Sequence, residues 1–305
     1  MRILVVGAGA TGGYFGGRLA QAGRDVTFLV RERRLQQLQQ NGLILQTPSG
    51  TETLHPQLAQ ASTLNGPFDL IILTVKSFGL EQAMQDIAPA VGPETLIMPI
   101  LNGMRHIDTL RDRFGEHHVI GGLCKIIATL GPNGEVVQMT PLQQIYYGAL
   151  DGNNDARLQR VDAALSDCGL ETIFSNDIIS ELWEKWLLLS TLGAVTCLSR
   201  GNTQQILRSQ GGEALLQGVF SEILAVISAD GYHPRPAVTA KIYAILSNPD
   251  TPMTSSMYRD LSQGYDIESD QVIGDLLLRA ARNSVSTPLL NAANVNLQVY
   301  RQALA

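Results

Sequence analysis

Residues 2–6 read Arg-Ile-Leu-Val-Val, one polar residue and then an unbroken apolar run, the pattern of a strand buried on both faces. A glycine-rich hexapeptide, Gly7-Ala8-Gly9-Ala10-Thr11-Gly12, follows without a spacer, and residues 13–23 continue as a helix that closes on Gly23. Residues 25–30 give a second apolar strand, 34–41 a helix and 43–47 a short extended segment. Residues 69–75 are again apolar on both faces, 80–90 are helical up to Pro89 and Gly92, and 95–101 form a strand closing on Asn102-Gly103. Short segments at 118–122, 125–129, 136–139 and 144–147 complete a β-rich stretch. The alternation predicts a mostly parallel sheet with helices on its faces and a few antiparallel strands late. After about residue 176 the pattern turns helical throughout, with main runs at 177–198, 212–229, 236–246 and 268–283 and a shorter one at 256–262.

The hexapeptide has the spacing G-x-G-x-x-G between a strand and a helix, with a second strand completing the unit. Gly7 permits the tight turn, Gly9 lets the backbone approach a pyrophosphate, and Gly12 lets helix and strand pack closely. Phosphates then meet the N–H groups and positive end of the helix, so residues 7–12 (Gly7, Ala8, Gly9, Ala10, Thr11, Gly12) are candidate cofactor contacts. The expected architecture is an α/β N-terminal domain of Rossmann type over residues 1–175, binding a dinucleotide. An all-α C-terminal domain over 176–305 would carry substrate and catalysis, with the ligand site in the cleft between them.

The end of the second strand bears on which dinucleotide. An NAD site places an acid here to bond the ribose hydroxyls. This chain has Arg31, whose planar fork suits a 2′-phosphate, and Arg33 or Arg34 could add charge. NADP(H) is therefore the expected cofactor. Glu32 competes with that reading, since it becomes the acid if the strand ends one residue later.

At 305 residues with 45% hydrophobic content, the chain is long enough for two cored domains. The net charge of −6 offers no basic field for nucleic acid. Cys124, Cys168 and Cys197 lack metal spacing and are expected to be reduced, buried small residues. No metal site is expected, and His117-His118 should lie solvated in a turn. Residues 186–198 are too short and too rich in Ser, Thr and Gly to span a bilayer, and a signal peptide is not expected ahead of the first strand. A cytoplasmic enzyme with a small-molecule ligand, without membrane or nucleic-acid partner, is expected.

Three features are candidates for the ligand site. Lys76 and Asn102 follow strands at their carboxyl ends, where ligands of open α/β sheets bind. Asn102-Gly103 is equally the signal of a plain turn, and Lys76 alone suits a solvated lysine. Lys185 sits in Leu182-Trp183-Glu184-Lys185-Trp186-Leu187, an apolar setting in which a lysine must be paired, snorkelling or functional.

The glycine loop, Arg31, Val75-Lys76, Asn102-Gly103, Trp183-x-Lys185, Ser255-Ser256-Met257-x-x-Asp260 and Asp266-Ile267-Glu268-Ser269-Asp270 together resemble the ketopantoate reductase family, in order and spacing over essentially the whole chain. The resemblance implies NADPH-dependent reduction of a 2-oxo acid to a 2-hydroxy acid, with 2-dehydropantoate (ketopantoate) to pantoate in pantothenate synthesis as the leading case. It implies Lys185 as general acid and Glu268 as the carboxylate that positions the lysine and contacts the bound ligand. It also implies Asn102 at nicotinamide and substrate, and Ser256 as a substrate contact. The chemistry is coherent, because an ammonium can stabilise charge developing on the carbonyl oxygen and donate its proton there. Helix N-capping is the competing reading for Ser255 and Ser256, and a first-turn acid for Glu268.

The match breaks at two positions. Ketopantoate reductases carry substrate-facing asparagines four and eight residues after the lysine, where this chain has Leu189 and Gly193. A more apolar, roomier pocket is expected, with Ser190, Thr191 and Asn202 as the polar neighbours available to stand in. Gly79 departs where a polar cofactor contact is expected. The alternatives carried forward are the same reaction on a bulkier or more apolar 2-oxo acid, and an NADPH-binding sensor without turnover. A homodimer is left open.

Overall fold

A computed structural model describes residues 1–304. The chain divides into two compact units, Met1–Leu101 with His106–Ile178, and Asn102–Arg105 with Ile179 onward. Up to residue 178 it runs β1 (Arg2–Val6), α1 (Ala10–Gln21), β2 (Asp25–Leu29), α2 (Glu32–Asn41), β3 (Leu43–Thr47), β4 (Gly50–Leu54), β5 (Gln57–Ala59), β6 (Leu70–Leu73), α3 (Leu80–Ile87), β7 (Leu96–Pro99), α4 (Arg105–Phe114), β8 (Gly121–Leu130), β9 (Val136–Gly148), α5 (Ala156–Leu165) and β10 (Glu171–Phe174).

The first sheet has the order β5-β2-β1-β6-β7, and every pairing in it is parallel. Its alternating side chains feed two apolar clusters. Ile3, Val5, Phe28, Ile72 and Met98 join Tyr14, Phe15 and Leu19 of α1. Leu4, Val6, Ile71, Leu73 and Ile97 join Leu80, Ala83 and Met84 of α3. Burial on both faces is why β1 and β6 read as continuous apolar runs.

A second sheet, β10-β9-β3-β4 with β8 on β9, stands where the sequence pattern suggested late strands of a single sheet. The four short segments expected between 118 and 147 are two long antiparallel strands. The ladder passes from Ile126–Gln143 to Ala128–Gln138, so residues 139–142, Pro141 among them, bulge out opposite Ile127 and pairing resumes. β4 was not legible because it is almost wholly exposed and carries no apolar alternation. His118 departs from expectation too: it is buried, with its Nδ1 2.7 Å from the Thr95 carbonyl oxygen. The three cysteines are buried and unlinked, and burial pushes the Cys197 thiol up to about 12.

The second unit is helical: α6 (Ile178–Ser199), α7 (Thr203–Arg208), α8 (Gly212–Ala229), α9 (Pro236–Leu246), α10 (Ser256–Ser262), α11 (Asp275–Arg282) and α12 (Pro288–Gln302). A π turn over Asp270–Gly274 leads into α11, inside what the pattern suggested was one regular helix. α12 lay outside the predicted runs because Val295 and Val299 face outward, 55% and 60% exposed, and blur its amphipathic pattern. α8 is long and apolar enough to cross a membrane by length and composition. Its position accounts for that character, since it packs against α7, α11 and α12.

One buried charge is neutralised by a residue distant in sequence. Glu184, 3% exposed, accepts from the Arg235 backbone N–H at 3.0 Å and from Arg235 Nε at 2.8 Å, and also pairs with Nη2. Glu181 accepts from the same Nη2 at 2.8 Å. Glu184, and then Glu181, hold the guanidinium well above its ordinary value. Arg235→Ala should destabilise the protein by roughly 2–3 kcal/mol in urea unfolding at neutral pH, below the figure for a fully buried pair because the guanidinium is half in water. A loss under about 0.5 kcal/mol would mean the carboxylate finds another partner.

Candidate active site

The glycine loop joins β1 to α1. Gly7 has φ +96°, a left-handed conformation that favours glycine. Gly12 is where helix and strands close: a Cβ there would lie 2.1 Å from both the Gly7 carbonyl oxygen and Thr74 Oγ1. Thr74, at the end of β6, donates to the Val6 and Gly7 carbonyls at 2.8 and 3.0 Å and so ties two strand ends to the turn. Sequence reasoning did not single it out, although a hydroxyl closing an apolar strand was the available signal. Gly9 is the N-cap of α1 and offers no side-chain cap. A Cβ on it would meet nothing within 4 Å. Ala10 and Thr11 begin the helix beside that open space, half-buried.

Arg31 and Glu32 diverge from the end of β2. Arg31 is exposed, and its Nη2 lies 3.9 Å from where a Gly79 Cβ would be, so it reaches across the end of β1 toward the loop after β6. Exposed Lys76 begins that loop, with its Nζ 6.0 Å from the centroid of the Phe78 ring. Glu32 turns the other way, accepting from Gln36 and, at 2.8 Å, from Gln60, just past the outer strand β5. Arg34 does not join Arg31. Its Nε donates to the Ala8 carbonyl at 3.0 Å and its Nη1 to the Gly134 carbonyl at 2.9 Å, fastening the glycine loop to the β8–β9 turn.

The remaining candidates belong to the second unit. Lys185 lies half-buried on α6 between Trp183 and Trp186, which are 2% and 1% exposed. The Arg279 guanidinium sits 5.2 and 5.5 Å from those two rings. Glu268 is half-buried just ahead of the π turn. Asn102 is half-buried, and the four residues 102–105 cluster with this unit even though β7 precedes them. Ser255 is the N-cap of α10, accepting from the Tyr258 N–H at 2.9 Å, with its Oγ 3.1 Å from Thr196 Oγ1. Capping therefore accounts for Ser255, whereas Ser256 is exposed in the first turn.

The two departures from the family pattern look different in three dimensions. Gly193 does not leave the expected extra room, because a Cβ on it would lie 2.9 Å from Met257 Cε. The methionine methyl fills that place. Leu189 is half-buried one turn earlier. The polar stand-ins are committed elsewhere. Ser190 and Thr191 donate to the Trp186 and Leu187 carbonyls of their own helix at 2.6 and 2.8 Å, and Asn202 caps α7.

Sequence comparison decides the family. The family model described as ketopantoate reductase PanE/ApbA matches residues 3–152, and that of its C-terminal part matches 177–300. The chain belongs to the ketopantoate reductase family. It is 34% identical to an uncharacterized oxidoreductase, YkpB, of Bacillus subtilis over 98% of this chain and 99% of that protein. It is 24% identical to a 2-dehydropantoate 2-reductase of Streptococcus pyogenes over 94% of each. Its fold is that of a D-mandelate dehydrogenase solved with NADH and anilino(oxo)acetate, with a TM-score of 0.89 at 23% identity, covering 100% of this chain and 99% of that one.

The contrast between two glycines is testable. Gly12→Ala should lower stability by about 3 kcal/mol in thermal or urea unfolding, since backbone and a tied hydroxyl must move. Gly9→Ala, at an extended φ of −77° with open space, should stay within about 1 kcal/mol of the parent. Equal losses would contradict the geometry.

Proposed function

We propose that the protein reduces a 2-oxo acid to the 2-hydroxy acid with NADPH as reductant, 2-dehydropantoate being the leading substrate. The observation that carries the cofactor choice is the divergence at the end of β2, where Arg31 turns toward Gly79 and Glu32 is occupied by Gln36 and Gln60 on the far side of the strand. The loop suits a dinucleotide: Gly9 presents open space at a helix start, where backbone N–H groups favour phosphate. Arg31 and Lys76 supply positive charge for a 2′-phosphate.

A bound nicotinamide dinucleotide supplies the hydride to the carbonyl carbon. Lys185 holds a proton at Nζ, stabilises the charge that develops on the carbonyl oxygen and delivers the proton there, leaving a hydroxyl. Glu268 positions the ammonium. Asn102 and Ser256 orient cofactor and substrate through their amide and hydroxyl. The function proposed is that of a cytoplasmic enzyme.

A second reading, the same reaction on a more apolar 2-oxo acid, is favoured by the methyl of Met257 at Gly193 and by the commitment of Ser190, Thr191 and Asn202. A pocket without hydroxyl-reading groups loses preference for a hydroxylated substrate. Leu189→Asn with Gly193→Asn should then shift the ratio of kcat/KM toward 2-dehydropantoate and away from apolar 2-oxo acids. An unchanged ratio would remove this reading.

Two further measurements test the main proposal. Lys185→Ala should lower kcat by about 10²–10⁴-fold with NADPH binding retained. Retained turnover would exclude the lysine as acid, and no turnover by the parent on any 2-oxo acid would favour a sensor. Arg31→Ala should weaken NADPH by about 10–100-fold and NADH by under about threefold. Equal weakening would contradict a 2′-phosphate contact.

A further inference from the structure

Gln271 is a buried side chain, 6% exposed, inside the π turn that follows Glu268. Its Nε2 donates to the Asn102 carbonyl at 3.0 Å. The next residue, Gly103, has φ +82°, and a Cβ there would lie 2.8 Å from the Gln271 carbonyl oxygen and 3.3 Å from Gln271 Cγ and Nε2. Only a glycine with left-handed backbone lets the Asn102 loop come this close. The neighbouring residue completes the arrangement. Val272 N–H donates to the Glu268 carbonyl at 3.0 Å, and the Val272 carbonyl accepts from Trp186 Nε1 at 3.0 Å. Trp186 directly follows Lys185 in α6.

Three segments far apart in sequence, carrying Asn102, Lys185 and Glu268, are thus joined by hydrogen bonds through two consecutive residues of one π turn. Such turns are frequent at functional sites. Trp186 serves α6, and Gln271 serves the Asn102 loop. We propose that Gln271 is a positioning residue for the reaction: its amide N–H fixes the Asn102 loop relative to Glu268 and Lys185 without touching the substrate. The inference rests on the roles proposed above for those three residues.

The test uses two variants of the full-length protein. Gln271→Met keeps the length and removes the donor. Gln271→Glu keeps the shape and sets a carboxylate against a carbonyl, regaining a donor only when protonated. Hydrogen exchange over residues 100–106 is read first and needs no turnover. Both variants should exchange faster there at neutral pH, with exchange over β1 and β6 unchanged. In turnover of a 2-oxo acid with NADPH, kcat should fall about tenfold in Gln271→Met with KM changed by under about threefold. The activity of Gln271→Glu relative to the parent at the same pH should rise as pH falls and the carboxyl gains its proton, whereas that of Gln271→Met should not. Unchanged exchange over 100–106 in both variants would overturn the proposal, as would a pH-independent ratio for Gln271→Glu. If Gln271→Met fails to fold, Gln271→Glu carries both readouts. A parent that turns over no 2-oxo acid defeats the proposed function alone, and the exchange measurement still decides the tie.

Discussion

The first unit depends on one contact for which no side chain is available. The start of α1 meets the carboxyl ends of β1 and β6 at Gly12, and the Gly7 carbonyl and Thr74 hydroxyl already occupy the place a Cβ would take. Because that junction closes, the helix start is held against the central strands of a parallel sheet. Gly9 then faces open space beside the ends of the two strands that flank β1. Arg34 secures the same loop from the other side by bonding the Ala8 carbonyl. The shape of the loop is set by the packing around it.

Charge in both units is allocated by pairing. At the end of β2, consecutive residues of opposite sign point to opposite sides, because Gln36 and Gln60 draw Glu32 outward. In α6, the carboxylate of Glu184 is buried and needs a cation. Arg235 answers it from α9's N-cap and donates to Glu181 as well.

Strand–loop–helix order in the first sheet was legible because burial on both faces leaves unbroken apolar runs, and the glycine spacing was legible because each glycine answers a distinct steric demand. Legibility failed where the cause is tertiary. Residues 136–139 and 144–147 read as separate strands, yet a bulge that takes in Pro141 joins them within β9. Arg34 looked like part of a basic cluster until its carbonyl partners were in view. Gly193 suggested empty space, and the methyl filling it belongs to Met257, far along the chain. The π turn and Gln271 left no periodic trace, since one inserted residue in a helical run does not disturb an apolar pattern enough to be read. The family motifs marked Asn102, Lys185 and Glu268. The contacts that hold them together lie between the motifs.

The most direct test of hydride transfer uses NADPH deuterated at the transferable position of the nicotinamide, incubated with 2-dehydropantoate or an apolar 2-oxo acid. Mass spectrometry of the product should find one deuterium on the carbon that bore the carbonyl, in the parent protein and not in Lys185→Ala. Cofactor bound to the parent with no labelled 2-hydroxy acid formed from any 2-oxo acid would contradict the account.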